Sequence, residues 1–237
     1  MRPPSASAGG DGASRSESVN PLNMMPALSQ QPTADQRVVL PVERTVSSIP
    51  RPAQSPLTDP AARAAHDAPA YSGQQTTSFW EYPSPQQFYN ALRRKGWETP
   101  EDKIEVMVAI HNFLNEACWD EIQRWERKYH CDCKEPIQLV KFQGRPHQLT
   151  PKARLLRWFG GATPFDRHDW TIDRCGKQVR YVMDYYSNDD DDDDDAMPQR
   201  APPRFNVDVR PALDSPGAAF DRLREGLSDA WAWAFSQ

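Results

Sequence analysis

Residues 165–186 read FDRHDWTIDRCGKQVRYVMDYY. His168 to Asp173 forms one candidate strand, Cys175-Gly176 a turn, and Gln178 to Tyr186 a second strand. In the second, Val179, Tyr181, Met183 and Tyr185 alternate with Arg180, Val182 and Asp184, the period of a strand with one buried face. The segment is an antiparallel hairpin, and the rest of the fold is read outward from it.

Ile137 to Phe142 lies upstream as a short candidate strand, and Arg204 to Val209 downstream as another. The helices around them share a start device: a Ser or Thr N-cap, then Pro at the first helical position. It occurs at Ser84-Pro85, Thr99-Pro100, Thr150-Pro151 and Ser215-Pro216. Gly96 stops the first helix after Lys95, and Gly160 stops the third after Phe159. The second helix, from Pro100 to about Tyr129, is the longest. Its apolar stripe is Ile104, Met107, Val108, His111, Leu114, Cys118, Ile122, Trp125 and Tyr129, in steps of three and four. Helices and strands interleave without a βαβ rhythm. The expected fold class is therefore α+β, with helices packed on a small, mainly antiparallel sheet.

Composition divides the 237 residues unevenly. Residues 1–70 contain no Phe, Tyr or Trp and 11 of the 23 prolines; all 24 aromatics follow. The expectation is a disordered Pro/Ser-rich arm over 1–70 and a folded domain over 71–237. Within the arm, residues 20–26 and 40–52 are less low-complexity and read as short docking segments. Asp189 to Asp195 is an unbroken acidic run inside an expected solvated loop, 187–203; without it the formal charge moves from −5 to about +2. No apolar run reaches the roughly 20 residues of a spanning helix. The first 20 residues hold no apolar signal core. Four cysteines are too few to read as a disulfide framework, and the net acidity argues against a nucleic-acid partner.

His111 is the most informative single residue. It is either a core histidine bonded to a neighbour or a ligand to a metal or haem iron facing a pocket. His130-Cys131-Asp132-Cys133 offers ligand types for zinc, but without a second pair at the right spacing it also reads as a helix end with incidental thiols. Phe165 to Trp170 packs charge, imidazole and aromatic groups together, for local ion pairs or for an anionic ligand. Trp80, Tyr82, Trp97, Trp119, Trp125, Trp158 and Trp170 supply either core or the walls of a pocket for a large flat ligand. On the last helix, Phe220, Leu223, Leu227, Ala230, Trp231 and Ala234 recur at helical spacing. They read as core packing or as a face resting in a membrane interface. No Walker, GxGxxG, GxSxG or HExxH motif is present, and no Cys-x-x-Cys-His.

Several stretches, in order, resemble the holocytochrome c synthases, also called cytochrome c haem lyases. They are Asn20-Pro21-Leu22-Asn23 with Met25-Pro26, Ser47 to Arg51, Trp80-Glu81-Tyr82-Pro83-Ser84, and Lys95-Gly96-Trp97. Ile110-His111-Asn112 with Asn115-Glu116 and Trp119 forms the centre. Pro164 to Trp170, Arg174-Cys175-Gly176, Arg180 to Tyr186 and Asp208 to Ser215 complete the match. The resemblance implies an enzyme of the mitochondrial intermembrane space, peripheral on the inner membrane. It implies covalent attachment of haem b, preferably ferrous, to the Cys-x-x-Cys-His thiols of apocytochrome c or c1 through the haem vinyl groups. It puts the axial ligand to the haem iron, and the catalytic role, on His111. Trp80, Tyr82, Asn112, Glu116 and Trp119 become expected pocket or substrate-facing residues, and Arg167, His168 and Arg174 are expected to support those residues from behind or to contact a haem propionate. Family members commonly carry Cys-Pro motifs in the arm; residues 1–70 here contain no cysteine. A haem carrier on the same scaffold, and an interaction module that binds no haem, are the competing readings.

Overall fold

The computed structural model describes residues 28–52, 78–146, 148–187 and 205–235. Residues 20–26, His147 and the Asp189–Asp195 run lie outside the described residues, as does the rest of the acidic loop from 188 to 203.

The hairpin is present as expected. β4 (Asp166–Arg174) pairs antiparallel with β5 (Lys177–Ser187), and β3 (Gln138–Gly144) and β6 (Phe205–Pro211) flank them in the order β3-β4-β5-β6. Every neighbouring pair in this sheet is antiparallel. Cys175 and Gly176 form the turn with φ of 47° and 79°. Two successive left-handed residues give a two-residue connection the twist that a hairpin requires. The fold class is α+β.

A second sheet was not foreseen. β1 (Val46–Arg51) pairs antiparallel with β2 (Ser78–Glu81). Residues 28–52 therefore do not belong to a disordered arm, and the boundary placed at residue 70 needs correcting for this segment. The reason is tertiary. Leu40 and Ile49 are buried, and Glu101 accepts hydrogen bonds from the backbone of Arg37 (2.8 Å) and Val38 (2.6 Å). The segment borrows its burial from the domain, so its own composition does not report it.

The helix starts hold in three of four cases. Ser84 closes a capping box at α1 (Pro85–Arg94). Thr150 accepts from Ala153 N–H at α3 (Pro151–Trp158). Ser215 accepts from Ala218 N–H at α4 (Pro216–Phe235). At the fourth, Pro100 leads into a 3₁₀ turn, Glu101–Lys103, before α2 (Ile104–Tyr129), with no side-chain cap at either junction. Glu101 is spent on the 28–40 segment instead.

α2 lies against one face of the four-stranded sheet. Cys118, Trp119, Ile122 and Trp125 meet Leu139, Trp170, Ile172, Tyr181, Met183, Tyr185 and Val209 in one apolar core. Trp125 donates its indole N–H to the Val209 carbonyl at 3.1 Å. On the opposite face, Asp184 is wholly buried against Arg210 and Thr150, whose hydroxyl donates to it at 2.7 Å. Cys133 and Cys175 form a disulfide that ties the loop after α2 to the β4–β5 turn. Closing that loop, 42 residues along the chain, is worth about 4 kcal/mol on the chain-entropy view. The sequence reading foresaw no such bond, because partners so far apart are joined only by the fold.

α4 reverses the expected packing. Phe220, Leu223, Leu227 and Trp231 are 62%, 61%, 63% and 70% exposed. Its inward residues include Asp221, bonded to His130 at 2.9 Å, and Glu225, which takes hydrogen bonds from Arg124, Lys128 and Tyr129. Core packing is therefore not the role of these four apolar side chains.

Candidate functional site

Burial along α2 has a gap. Ile104 and Val108 belong to one apolar cluster, with Leu40 and Tyr89. Cys118 and the residues after it belong to the other. Between Val108 and Cys118, the stripe residues His111 and Leu114 and the adjacent Asn115 are only half-buried. The helical stripe that sequence periodicity presents as continuous is divided between two cores, and His111 stands half-buried at the seam between them.

The hydrogen bonds of His111 select one tautomer. Nδ1 lies 3.2 Å from Asn112 Oδ1, an acceptor, and Nε2 lies 3.3 Å from Asn115 Nδ2, a donor. Both contacts are satisfied only if Nδ1 carries the proton and Nε2 presents its lone pair. Burial lowers the pKa of His111 and outweighs the Asn112 contact, which raises it. The ring is thus held neutral, the protonation state that ligates a metal. Tyr82 meets it edge-on at 6.0 Å and Phe88 tilts over it at 5.5 Å.

Strand parity brings His168 to the same side. His168, Trp170 and Ile172 alternate with Arg167 and Asp169, and the register sets His168 opposite Met183. The residues of this parity face α2. The His168 side chain is 31% exposed, yet burial is the main influence that lowers its pKa, against the nearby Asp166. Its ring packs edge-on against Tyr185 at 5.3 Å. Gly144 leaves it room: a Cβ there would lie 3.3 Å from His168 Cδ2. His168 and Lys95 each oppose protonation of His111, so the three share one electrostatic neighbourhood.

A polar wall stands beside the ring. Glu116 accepts from Ser47 Oγ at 2.6 Å, Tyr82 Oη at 2.8 Å and Ser48 N at 3.2 Å, and also from Ser48 Oγ. Burial raises the Glu116 pKa, but these hydrogen bonds overcome it and hold the carboxyl below its ordinary value. Behind the wall, burial pushes the Cys118 thiol up to about 11, leaving it protonated 3.8 Å from Tyr185 Oη.

A family model described as cytochrome c/c1 heme lyase matches residues 2–225. The chain belongs to the cytochrome c/c1 heme lyase family. Among curated relatives, it is 39% identical to the Saccharomyces cerevisiae holocytochrome-c synthase, over 88% of this chain and 76% of that one. It is 38% identical to the Gallus gallus holocytochrome c-type synthase over 94% and 72%, and 36% to the Homo sapiens protein over 94% and 74%. No solved structure matches. As a haem lyase the chain is an enzyme, and haem is its substrate.

Of the expected lyase-site residues, the structure brings together His111, Asn112, Tyr82, Glu116 and His168. It places four others elsewhere. Trp80 is buried in the main core, donating its indole N–H to the Leu139 carbonyl at 2.9 Å. Trp119 is 1% exposed, two turns along α2. Arg167 occupies the strand parity opposite to His168 and grips Asp169 through Nε and Nη2, at 2.8 and 3.0 Å. Arg174 has the parity of His168 but sits at the hairpin tip, paired with Glu126 at 2.5 Å. A haem propionate would have to displace a carboxylate from either arginine. The expectation of a tryptophan-walled pocket is also narrowed: Trp97 and Trp158 are exposed at 62% and 83%.

Sequence reasoning missed Ser47, Phe88, Lys95, Gly144 and Tyr185 as parts of this site. Tyr185 was legible as an inward residue of the hairpin; the others lie on segments whose contact with His111 is set by packing. The zinc reading of residues 130–133 falls away. Cys133 is in a disulfide, His130 is bonded to Asp221, and among the described residues no three His, Cys, Asp or Glu gather to hold a metal ion.

Proposed function

We propose that the chain joins haem b covalently to apocytochrome c or c1, forming thioether bonds between the haem vinyl groups and the two thiols of a Cys-x-x-Cys-His segment. The observation that carries this reading is His111: a neutral imidazole at the seam between two cores, with its Nδ1 proton engaged by Asn112 and its Nε2 lone pair held by Asn115 Nδ2, which iron would displace. A haem b, taken in the ferrous state, would be ligated on one face by His111 Nε2. Asn112 orients the ring, and Tyr82 and Phe88 flank it. The histidine of the substrate would take the other iron face and bring its two thiols beside the vinyl carbons. Each S–H then adds across a C=C bond, with sulfur to one carbon and the proton to the other, so the step needs no oxidant. Holding the partners in register can supply at most about 7–11 kcal/mol of the barrier. Lys95 is exposed, and among the described residues no carboxylate pairs with it, so it would meet a propionate in place of Arg167 and Arg174.

The same proposal sets the protein peripherally on the mitochondrial inner membrane, facing the intermembrane space. No helix among the described residues is long and apolar enough to cross a membrane. The outward side of α4 carries Phe220, Leu223, Leu227 and Trp231, while two of its acids, Asp221 and Glu225, turn inward and Arg224 lies over the Tyr129 ring. That apolar face suits a lipid interface. A structural disulfide suits an oxidising compartment.

The test is co-expression with apocytochrome c in a bacterium lacking its own maturation system, followed by haem staining of a denaturing gel. A stained cytochrome band that His111→Ala abolishes is the expected result. A purified protein that carries haem but yields no stained cytochrome would overturn the synthase reading in favour of a carrier.

A further inference from the structure

At the far end of α2, about 27 Å of helix from His111, two cysteines line one cavity and a third is bonded to one of them. Cys131 and Cys133 line a space of about 390 Å³, with Trp119 and Ile137 on an apolar side and Arg127 and His130 on a polar one. Cys133 is bonded to Cys175, which is itself exposed at the β4–β5 turn. Cys131 is a free, exposed thiol two residues from the bonded sulfur. Residues so spaced have Cα atoms at most about 7 Å apart, within the reach of disulfide exchange. Trp119 adds a second observation: its indole N–H is buried without an acceptor, at a residue lining the same cavity. A peptide carbonyl that reached this N–H would satisfy it.

We propose that Cys131, Cys133 and Cys175 form a thiol–disulfide exchange site that takes a peptide cysteine. The peptide thiolate attacks Cys133 Sγ. A new S–S bond joins peptide and Cys133, the Cys133–Cys175 bond breaks, and Cys175 leaves with the electron pair and takes up a proton. Cys131, on losing its proton, then attacks Cys133 Sγ and expels the peptide thiolate, leaving a Cys131–Cys133 disulfide. The peptide leaves with its thiol unoxidised, so the cycle consumes neither oxidant nor reductant; its net effect is to move the protein disulfide and free the hairpin turn. A peptide seated in the cavity meets Cys133 first, because Cys133 lines the cavity and Cys175 is not among its lining residues. The site rests on the synthase reading only for naming its natural peptide, an apocytochrome with paired cysteines; the exchange itself involves no haem.

The test uses the full chain purified without reductant and a haem-free peptide bearing one cysteine. After incubation near pH 8 and acid quench, intact mass and digestion locate the peptide and the disulfides. In Cys131→Ser, where only Cys175 can expel the peptide, a one-to-one adduct on Cys133 should accumulate at least about fivefold over wild type. The wild-type chain should instead show a Cys131–Cys133 disulfide and a Cys175 that a maleimide labels. As a second variant, Cys133→Ser should form no adduct at that loop. Equal adduct in wild type and Cys131→Ser, an adduct confined to Cys131, or an unbonded Cys133 and Cys175 in the starting protein would each overturn the proposal. Failure here leaves the haem-staining result untouched, and a missing stained band leaves this readout untouched.

Discussion

Replacing Glu116 tests the wall that positions Tyr82 against His111. The buried hydroxyls of Ser47 (4% exposed) and Tyr82 (8% exposed) both donate to Glu116 Oε1. In Glu116→Ala both lose that acceptor, at about 1–3 kcal/mol each. Ser47 Oγ can still bond Tyr82 Oη, 3.3 Å away, which offsets part of the loss. The expected net cost is about 3 kcal/mol. Glu116→Gln keeps a carbonyl toward the same donors and loses mainly the charge, so it should cost about 2 kcal/mol or less. For a chain of this size the alanine variant should melt roughly 6–12 °C lower. Urea unfolding with a matched m-value would measure it, and the haem Soret absorbance of the purified protein would report the site. The sign with pH follows from the lowered Glu116 pKa: its stabilisation is complete above the ordinary carboxyl value of 4.5 and is lost as pH falls through the folded-state value. The alanine variant should therefore be less pH-sensitive than wild type between 5 and 3. An alanine variant within about 1 kcal/mol of wild type, with an unchanged Soret band, would refute the reasoning.

Three further outcomes follow from the same geometry. Because burial lowers the His111 pKa below 6.5, protons should displace the ring from haem iron only below that pH; a spectroscopic release midpoint at or above 6.5 would contradict the assigned environment. Gly144→Ala sets a Cβ against the His168 ring. It should destabilise by about 1–3 kcal/mol and alter the haem spectrum, whereas alanine at exposed Gly226, which meets nothing nearby, should leave the spectrum unchanged. Glu225, whose carboxyl is held down to about 2 by hydrogen bonds from Lys128, Tyr129 and Arg124 despite burial, keeps α4 against α2. Glu225→Gln should speed amide exchange in α4 at neutral pH, and acidification of wild type should do the same only as pH falls below 4.5 toward 2.

Local chemistry made much of this protein legible. The Ser/Thr-Pro caps, the glycine stops and the period-2 pattern of Val179 to Tyr185 are short-range signals, and the hairpin, three of the helix starts and the α+β class follow from them. The motif around Ile110-His111-Asn112 identified the ligand candidate. Periodicity alone did not decide its role, because a helical stripe does not show where two cores part. That seam exists because Leu40 and Tyr89 pack on one end of α2 and the sheet packs on the other, and both are contacts between distant segments. The β1–β2 sheet was illegible for the same reason: its strands are short and polar, and they are stabilised by Glu116, Trp80 and Ile49 meeting other elements. Strand parity decided which of the charged residues in Phe165 to Arg174 reach the site. It turned His168 toward α2 and Arg167 away, while distance along α2 removed Arg174. The inverted α4 was hidden because a helical repeat fixes that an apolar face exists, and only the ion pairs of Asp221 and Glu225 with α2 and its C-terminal end fix which way it points.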